Sequence, residues 1–259
     1  MTDTPDPGFI GPPRSGPDPE TARATPPENT AEAAPKPRRW LRRTLYTLLA
    51  LVLLPHIYLL ALRFVPVPYT ATMAARALSG EDVRRDWTRL EDISPYLVRA
   101  VIGAEDSRFC GHSGIDWEAT REVLEEEGGP SRGASTITQQ SAKNVFLWQG
   151  GGYVRKAAEA WFALTSDVVW GKRRTMEIYL NVAEWGDGLF GAEAAAQARF
   201  GKPASDLTPR EAALLAAVLP SPNKWQVDPP GPYVSTRAGT LQSRAQVVAS
   251  EGLAACVLD

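Results

Sequence analysis

Cysteine and histidine are nearly missing from this chain. Its 259 residues include two cysteines, Cys110 and Cys256, and two histidines, His56 and His112. That is too few for a Cys/His zinc module or for the disulfide framework of a small secreted domain. With 146 positions separating the cysteines and no local pattern around either, no bond between them is predicted. An excess of charge of one sign is missing too, since 28 Lys+Arg stand against 30 Asp+Glu. Without a global basic field there is no footprint for nucleic-acid phosphates, and no nucleic-acid partner is predicted. Internal repeats are likewise absent.

What is present is unevenly placed. Residues 1–37 hold 10 of the 22 prolines and one aromatic residue, Phe9, so they lack the apolar surface that offsets the entropy of ordering. They read as a disordered tail. Residues 38–64 open with Arg38, Arg39, Arg42 and Arg43, beside Lys36, and run into Thr44–Leu62, nineteen residues without Asp, Glu, Lys or Arg. At about 1.5 Å per residue a helix of that length spans roughly 28 Å, close to the hydrocarbon thickness of a bilayer. Pro55 and His56 interrupt it near the middle. A core helix would nevertheless carry a polar stripe, and a signal peptide would have a shorter apolar region starting near residue 1. The run reads as an uncleaved anchor, and the positive-inside rule leaves the arginines cytoplasmic and Arg63 onward across the membrane.

From about residue 64 the pattern is mostly helical. Val154, Ala158, Trp161 and Thr165 recur at helical spacing, as do Met176, Tyr179, Leu180 and Ala183 in a following segment that starts at Lys172. Thr208-Pro-Arg-Glu211 is a capping box with proline at the first helical position, ahead of an apolar run stopped by Pro220. Glu127–Gly133 and Gln149–Gly152 read as mobile loops.

Three constellations carry chemical potential. Glu105 and Asp106 close the largely apolar run Leu97–Ala104, where partial desolvation raises a carboxyl pKa and suits it to proton transfer. Six hydroxyl or carboxamide side chains lie within Ser135–Ser141, followed by Lys143, a density of donors suited to sugar hydroxyls or phosphate oxygens. A helix start capped by Ser135 or Thr136 explains one or two of them, not all. Arg155 and Glu159 are four apart on a helix, with Lys156 beside them and the apolar Ala160–Leu164 directly after. Together they read as a base and a cationic clamp for an anionic leaving group.

In these residues the chain resembles the peptidoglycan glycosyltransferase family, shared by monofunctional biosynthetic transglycosylases and the N-terminal domains of bifunctional penicillin-binding proteins. The resemblance covers roughly Pro66–Trp225. It rests on Glu105-Asp-x-x-Phe109, His112-x-Gly114-x-Asp116, Gly133-x-Ser-Thr-Ile-Thr-Gln-Gln140, Lys143-Asn144, Arg155-Lys-x-x-Glu159, Tyr179-Leu-Asn181 and Gly186-x-x-x-x-Gly191. Two positions depart from the family pattern: Arg199-Phe-Gly-Lys202 stands where Tyr-Phe-Gly-Lys is usual, and Cys110-Gly111 where proline or tyrosine is common. The closer likeness is to the monofunctional enzymes of Gram-negative bacteria.

The resemblance implies a mainly α fold, a lysozyme-like head with a small membrane-proximal jaw after one transmembrane helix. It implies a catalytic domain over 65–230 and a C-terminal extension over 231–259. It further implies polymerisation of lipid II into β-1,4-linked glycan at the bacterial inner membrane. Glu105 would be the general base and Glu159 a catalytic group orienting the cations. Lys143 and Arg155 would neutralise the departing diphosphate, Ser135, Thr136 and Gln139 would line the donor site, and Asn181 would support it. A Mg²⁺ or Mn²⁺ ion near Asp106 is implied by analogy, with no organic cofactor. Phe64–Thr70 would graze the membrane interface. The implied partners are lipid II, the growing glycan chain, the membrane, and other cell-wall synthases or division proteins. Two other readings stand beside this one: a muramidase or lytic transglycosylase, which has no need of Lys143, Arg155 and Lys156, and a non-catalytic cell-wall scaffold.

Overall fold

The computed structural model describes residues 39–126 and 133–259, with Gly11. The expected tail 1–37, the flanking Arg38, and Arg132 with most of its glycine-rich loop lie outside the described residues. In chain order the helices are α1 (Arg39–Ala61), α2 (Ala71–Leu78), α3 (Pro95–Glu105), α4 (Trp117–Glu125), α5 (Ile137–Phe146), α6 (Gly152–Val182), α7 (Ala192–Phe200), α8 (Pro209–Val218), α9 (Pro232–Ser250) and α10 (Ala255–Leu258). The mainly α expectation stands. A small sheet was not foreseen: β1 (Arg84–Arg85) runs parallel to β3 (Leu189–Phe190), which pairs antiparallel with β2 (Glu184–Gly186). Strands of two or three residues are too short to alternate legibly.

By contacts the chain divides into Met1–Thr47 and Leu48–Asp259. Within the first, Thr44 Oγ1 donates to Trp40 O at 2.9 Å, a bond inside the opening turns of α1. Helix α1 has 23 residues and is long and apolar enough to cross a membrane. Its last turns, which belong to the second unit, are closed by side chains of α6. Trp170 Nε1 donates to Leu59 O at 2.8 Å, and the Arg174 guanidinium donates to Leu62 O at 2.9 and 3.0 Å and to Val65 O. The Leu59 carbonyl is one that a helix end leaves without an intrahelical partner, and those of Leu62 and Val65 belong to the turn that follows. His56, the polar residue in the apolar run, has both ring nitrogens satisfied, by Val52 O at 2.7 Å and by Trp161 Nε1 at 3.1 Å. Below them Phe146 stacks on Phe162 with centroids 4.6 Å apart and packs against Trp170 at 5.9 Å.

The two helical segments expected on either side of Gly171 are found as such. Gly171, at φ 71°, breaks α6 into two helical arms, a conformation that glycine adopts without steric cost. The main core joins α3 (Leu97, Val101, Ile102), α8 (Leu214, Leu215, Val218) and α9 (Val234, Ala238, Leu241), with Tyr179 and Trp185 buried beside them. The boundary expected at residue 230 therefore has no counterpart in the packing, because α9 and α10 bury side chains in the same core as α3. The expectation for the cysteines is also corrected. Cys110 and Cys256 form a disulfide. The return of α9 and α10 over α3 brings their Cα atoms to 5.6 Å, inside the range a disulfide requires; separation along the chain carried no trace of that return.

Candidate active site

The site is assembled around the start of α5. Thr136 is its N-cap: Thr136 Oγ1 accepts Gln139 N–H at 3.1 Å while Gln139 Oε1 accepts Thr136 N–H at 3.0 Å. The Thr136 hydroxyl donates to Gly114 O at 2.6 Å. Asp106 Oδ2 accepts the Ile137 N–H at 3.0 Å, placing a carboxylate at the positive end of the helix. His112 Nε2 meets the same carboxylate at 3.0 and 3.1 Å. The end of α3 is thus fastened to α5, and Glu105, one residue before Asp106, is carried to the open side.

There Gln140 Nε2 donates to Glu105 Oε2 at 2.8 Å, and Gln140 Oε1 accepts the Tyr179 hydroxyl at 3.3 Å. Burial raises the Glu105 carboxyl above its ordinary pKa. The Gln140 hydrogen bond and the charges of Arg237 and Lys143 work against that rise, while Asp106 adds to it. Tyr179 is pushed well above its ordinary value by burial and by Glu105 and Asp106, so its hydroxyl stays a donor. Two adjoining cavities share Gln140 and Pro220. One, of about 790 Å³, is lined by Lys143, Asn144 and Trp148 from the α5 side and by Arg76 and Ser79 from α2 and its end. The other, of about 860 Å³, is lined by Glu105, Ser135, Trp225, Tyr233, Arg237 and Arg244 among others.

The cations on the first side form a compact set. Glu159 is 2% exposed, and it accepts Arg155 Nη1 at 2.5 Å and the Lys156 ammonium on its other oxygen. Lys156 also donates to Ser135 Oγ at 2.7 Å. Burial lowers the Lys143 pKa, Arg155 and Lys156 lower it further, and Glu159 and Glu105 oppose the shift. A buried carboxylate holding two cations beside a third is a stable way to keep positive charge in a water-poor place. A polarised carboxyl beside a concentrated positive field can take up a proton while it stabilises an anionic leaving group.

A family profile described as Transglycosylase matches residues 71–251. The chain belongs to the transglycosylase family. It is 50% identical over 224 residues to a biosynthetic peptidoglycan transglycosylase of Rhodospirillum centenum, covering 85% of this chain and 97% of the relative. A protein of the same name from Caulobacter vibrioides is 48% identical over 223 residues, with the same shares of 85% and 97%. One from Pseudomonas entomophila is 51% identical over 191 residues, 71% of this chain and 81% of the relative. The matched range includes α9, in line with its place in the core.

Within this transglycosylase site the structure gathers Glu105, Ser135, Lys143, Arg155, Lys156 and Glu159. Asn181 stands apart. It is fully buried and lines neither large cavity, and its side chain is bonded at 2.8 Å to Thr88 N, Thr88 O and Glu177 O. An amide whose bonds all go to backbone fastens the Thr88 segment to α6. Gln139 is likewise engaged in the helix cap, and its neighbour Gln140 is the glutamine that faces the cleft. Thr136 reaches only a smaller cavity of about 280 Å³. Sequence reasoning missed Gln140, Tyr179, Arg237 and Arg244. The first two lay inside quoted motifs, whereas two arginines on an amphipathic helix look like any solvated face.

Asp106, His112 and Asp116 each bring a donor atom within 4.8 Å of the others. This set does not fit a diphosphate-bridging Mg²⁺ or Mn²⁺. Asp116 is bonded at 2.8 and 3.2 Å by Arg108 and at 2.8 Å by Ala119 N–H. Burial works upward on its carboxyl, but those bonds outweigh it and hold the pKa low. The Arg108 cation already supplies the compensating charge, and Asp106 accepts from His112 and Ile137. Hard dications ask for oxygen donors with open positions, and this set offers a histidine and two engaged carboxylates.

Proposed function

We propose that this chain is a peptidoglycan glycosyltransferase that polymerises lipid II into β-1,4-linked strands and releases undecaprenyl diphosphate. The observation that carries the reading is the half-buried Glu105, raised in pKa, with Lys143 lining the adjoining cavity and the charges of Arg155 and Lys156 felt at Lys143. Glu105 takes the proton of the acceptor sugar 4-hydroxyl as that oxygen attacks the anomeric carbon of the donor. The new oxygen–carbon bond forms, the carbon–diphosphate bond breaks, and the anomeric centre inverts. Lys143 and Arg155 receive the charge that builds on the departing diphosphate, worth several kcal/mol where water is scarce. Lys156 holds Ser135, and Glu159 holds Arg155 and Lys156, so the cations are set before substrate arrives.

Helix α1 is the single membrane anchor of this reading, with the N-terminus cytoplasmic and the catalytic domain on the periplasmic face of the inner membrane. Exposed Phe64, Val65, Tyr153, Val154 and Trp161 suit an apolar boundary. A hydrolase would need its second carboxylate open to the sugar, whereas Glu159 is enclosed by Arg155 and Lys156.

The test is incubation of the detergent-solubilised chain with labelled lipid II. Lysozyme-digestible polymer with release of undecaprenyl diphosphate is the expected result. Shortening of finished glycan without use of lipid II would replace the reading with a lytic one.

A further inference from the structure

We infer that Arg237 and Arg244 form a carboxylate-binding subsite for the peptide stem of the substrate, separate from the cations that meet the diphosphate. The inference rests on the glycosyltransferase reading above. Both arginines lie on α9, seven residues apart, which puts them two turns apart on one face. Both line the cavity that holds Glu105. Arg237 Nε donates to Ala217 O at 3.2 Å, and Arg244 Nη1 lies 3.5 Å from Gly103 O. Among the described residues neither has a carboxylate partner. Of the cations around them, Arg76 pairs with Glu81 and Glu184, and Arg155 and Lys156 pair with Glu159, while Lys143, like Arg237, feels Glu105 without forming an ion pair among the described residues. Each guanidinium is thus held through one nitrogen, Nε in Arg237 and Nη1 in Arg244, and its remaining N–H donors suit a planar anion.

The anion follows from which part of the substrate reaches that chamber. Lipid II is a disaccharide-pentapeptide on a lipid diphosphate, and its tail keeps the diphosphate at the membrane surface. The Lys143 chamber is walled by α2, the first helix after the anchor. The Arg237 chamber is walled by α9, which packs on α3 and α8. The diphosphate therefore belongs to the first chamber, and the second receives the portion that points away from the lipid. That portion carries a peptide with a terminal carboxylate. Trp225 and Tyr233, with ring centroids 4.8 Å apart, and Val247 and Leu253 line the same space and offer the apolar contact a peptide needs.

The experiment compares two synthetic substrates with the full-length chain, lipid II with its stem carboxylates free and the same molecule with them converted to carboxamides. The wild type should favour the free acid by about tenfold in kcat/KM, the worth of one charge-assisted hydrogen bond. Arg244→Gln should bring that ratio close to one, through KM rather than kcat, and Arg244→Lys should restore part of it. A wild type that does not discriminate would overturn the subsite. An Arg244→Gln variant that slows both substrates equally would also overturn it and assign the arginines to the diphosphate. Should no substrate give polymer, the glycosyltransferase reading fails, and calorimetric titration with the free pentapeptide still decides. Binding to the wild type that Arg244→Gln abolishes keeps the subsite, and no binding to the wild type removes it.

Discussion

The two walls of the cleft hold positive charge in opposite ways. On the α5–α6 wall Arg155, Lys156 and Glu159 satisfy one another below the surface, and Lys143 sits in their field. On the α9 wall Arg237 and Arg244 reach the cavity that holds Glu105, and among the described residues neither forms an ion pair, although the Arg237 charge is felt at Glu105. The first arrangement is complete without substrate and so is preorganised for a charge that appears only during the reaction. The second is complete only when something anionic arrives. Pairing, more than the count of cations, separates machinery from receptor.

The sharpest way to probe this contrast is at Glu105, which stands between the walls. Glu105→Gln should cost at least about three orders of magnitude in turnover while a diphosphate-lipid analogue still binds, because base and clamp are separate groups. Near-normal rates would remove Glu105 from the base role. Glu159→Gln should leave the partly buried Arg155 and the more exposed Lys156 without their acid and destabilise the domain by roughly 1–3 kcal/mol, read as a lower midpoint in a thermal melt. Cys256→Ser should cost roughly 2–5 kcal/mol by freeing α10 from the segment around Cys110 that follows α3. Arg244→Gln, by contrast, should move stability by less than about 0.5 kcal/mol, as a change at an exposed residue whose one bond, to Gly103 O, is long. Equal losses from Glu159→Gln and Arg244→Gln would erase the distinction between the walls.

A finer probe is the acid limb of the pH–rate profile. Burial raises the Glu105 pKa, and Gln140 opposes the rise by donating to the carboxylate. Gln140→Leu removes that donor, so the acid limb of kcat/KM should move to higher pH, since more alkali is needed to keep the base ionised. A shift toward lower pH would mean that Gln140 favours the protonated form.

Local signals in the chain were legible where the chemistry was local. The capping box of α8 at Thr208 and Glu211, the cap of α5 at one of Ser135 and Thr136, and the two helical segments on either side of residue 171 each follow from a few adjacent residues. The Arg155–Glu159 pair was readable for the same reason, since helical spacing alone puts it in place, whereas the base role of Glu105 was implied only by the family resemblance. Long-range folding hid the rest. Nothing near Asn181 announces that Thr88 will occupy its amide, and nothing near Cys110 announces that α9 and α10 will return Cys256 to it. Gln139 and Gln140 differ by 100° around α5, and only the packed helix shows that one turns to the cap and the other to the cleft.

The carbonyls of Leu59, Leu62 and Val65 at the end of α1 are held by Trp170 and Arg174. A catalytic head on a slack cord would sweep a hemisphere and meet its quarry at every altitude. This one has no slack between the last turns of α1 and α6, so in the membrane-anchored reading proposed above the head would follow its anchor, and its search for substrate would reduce to lateral drift in two dimensions.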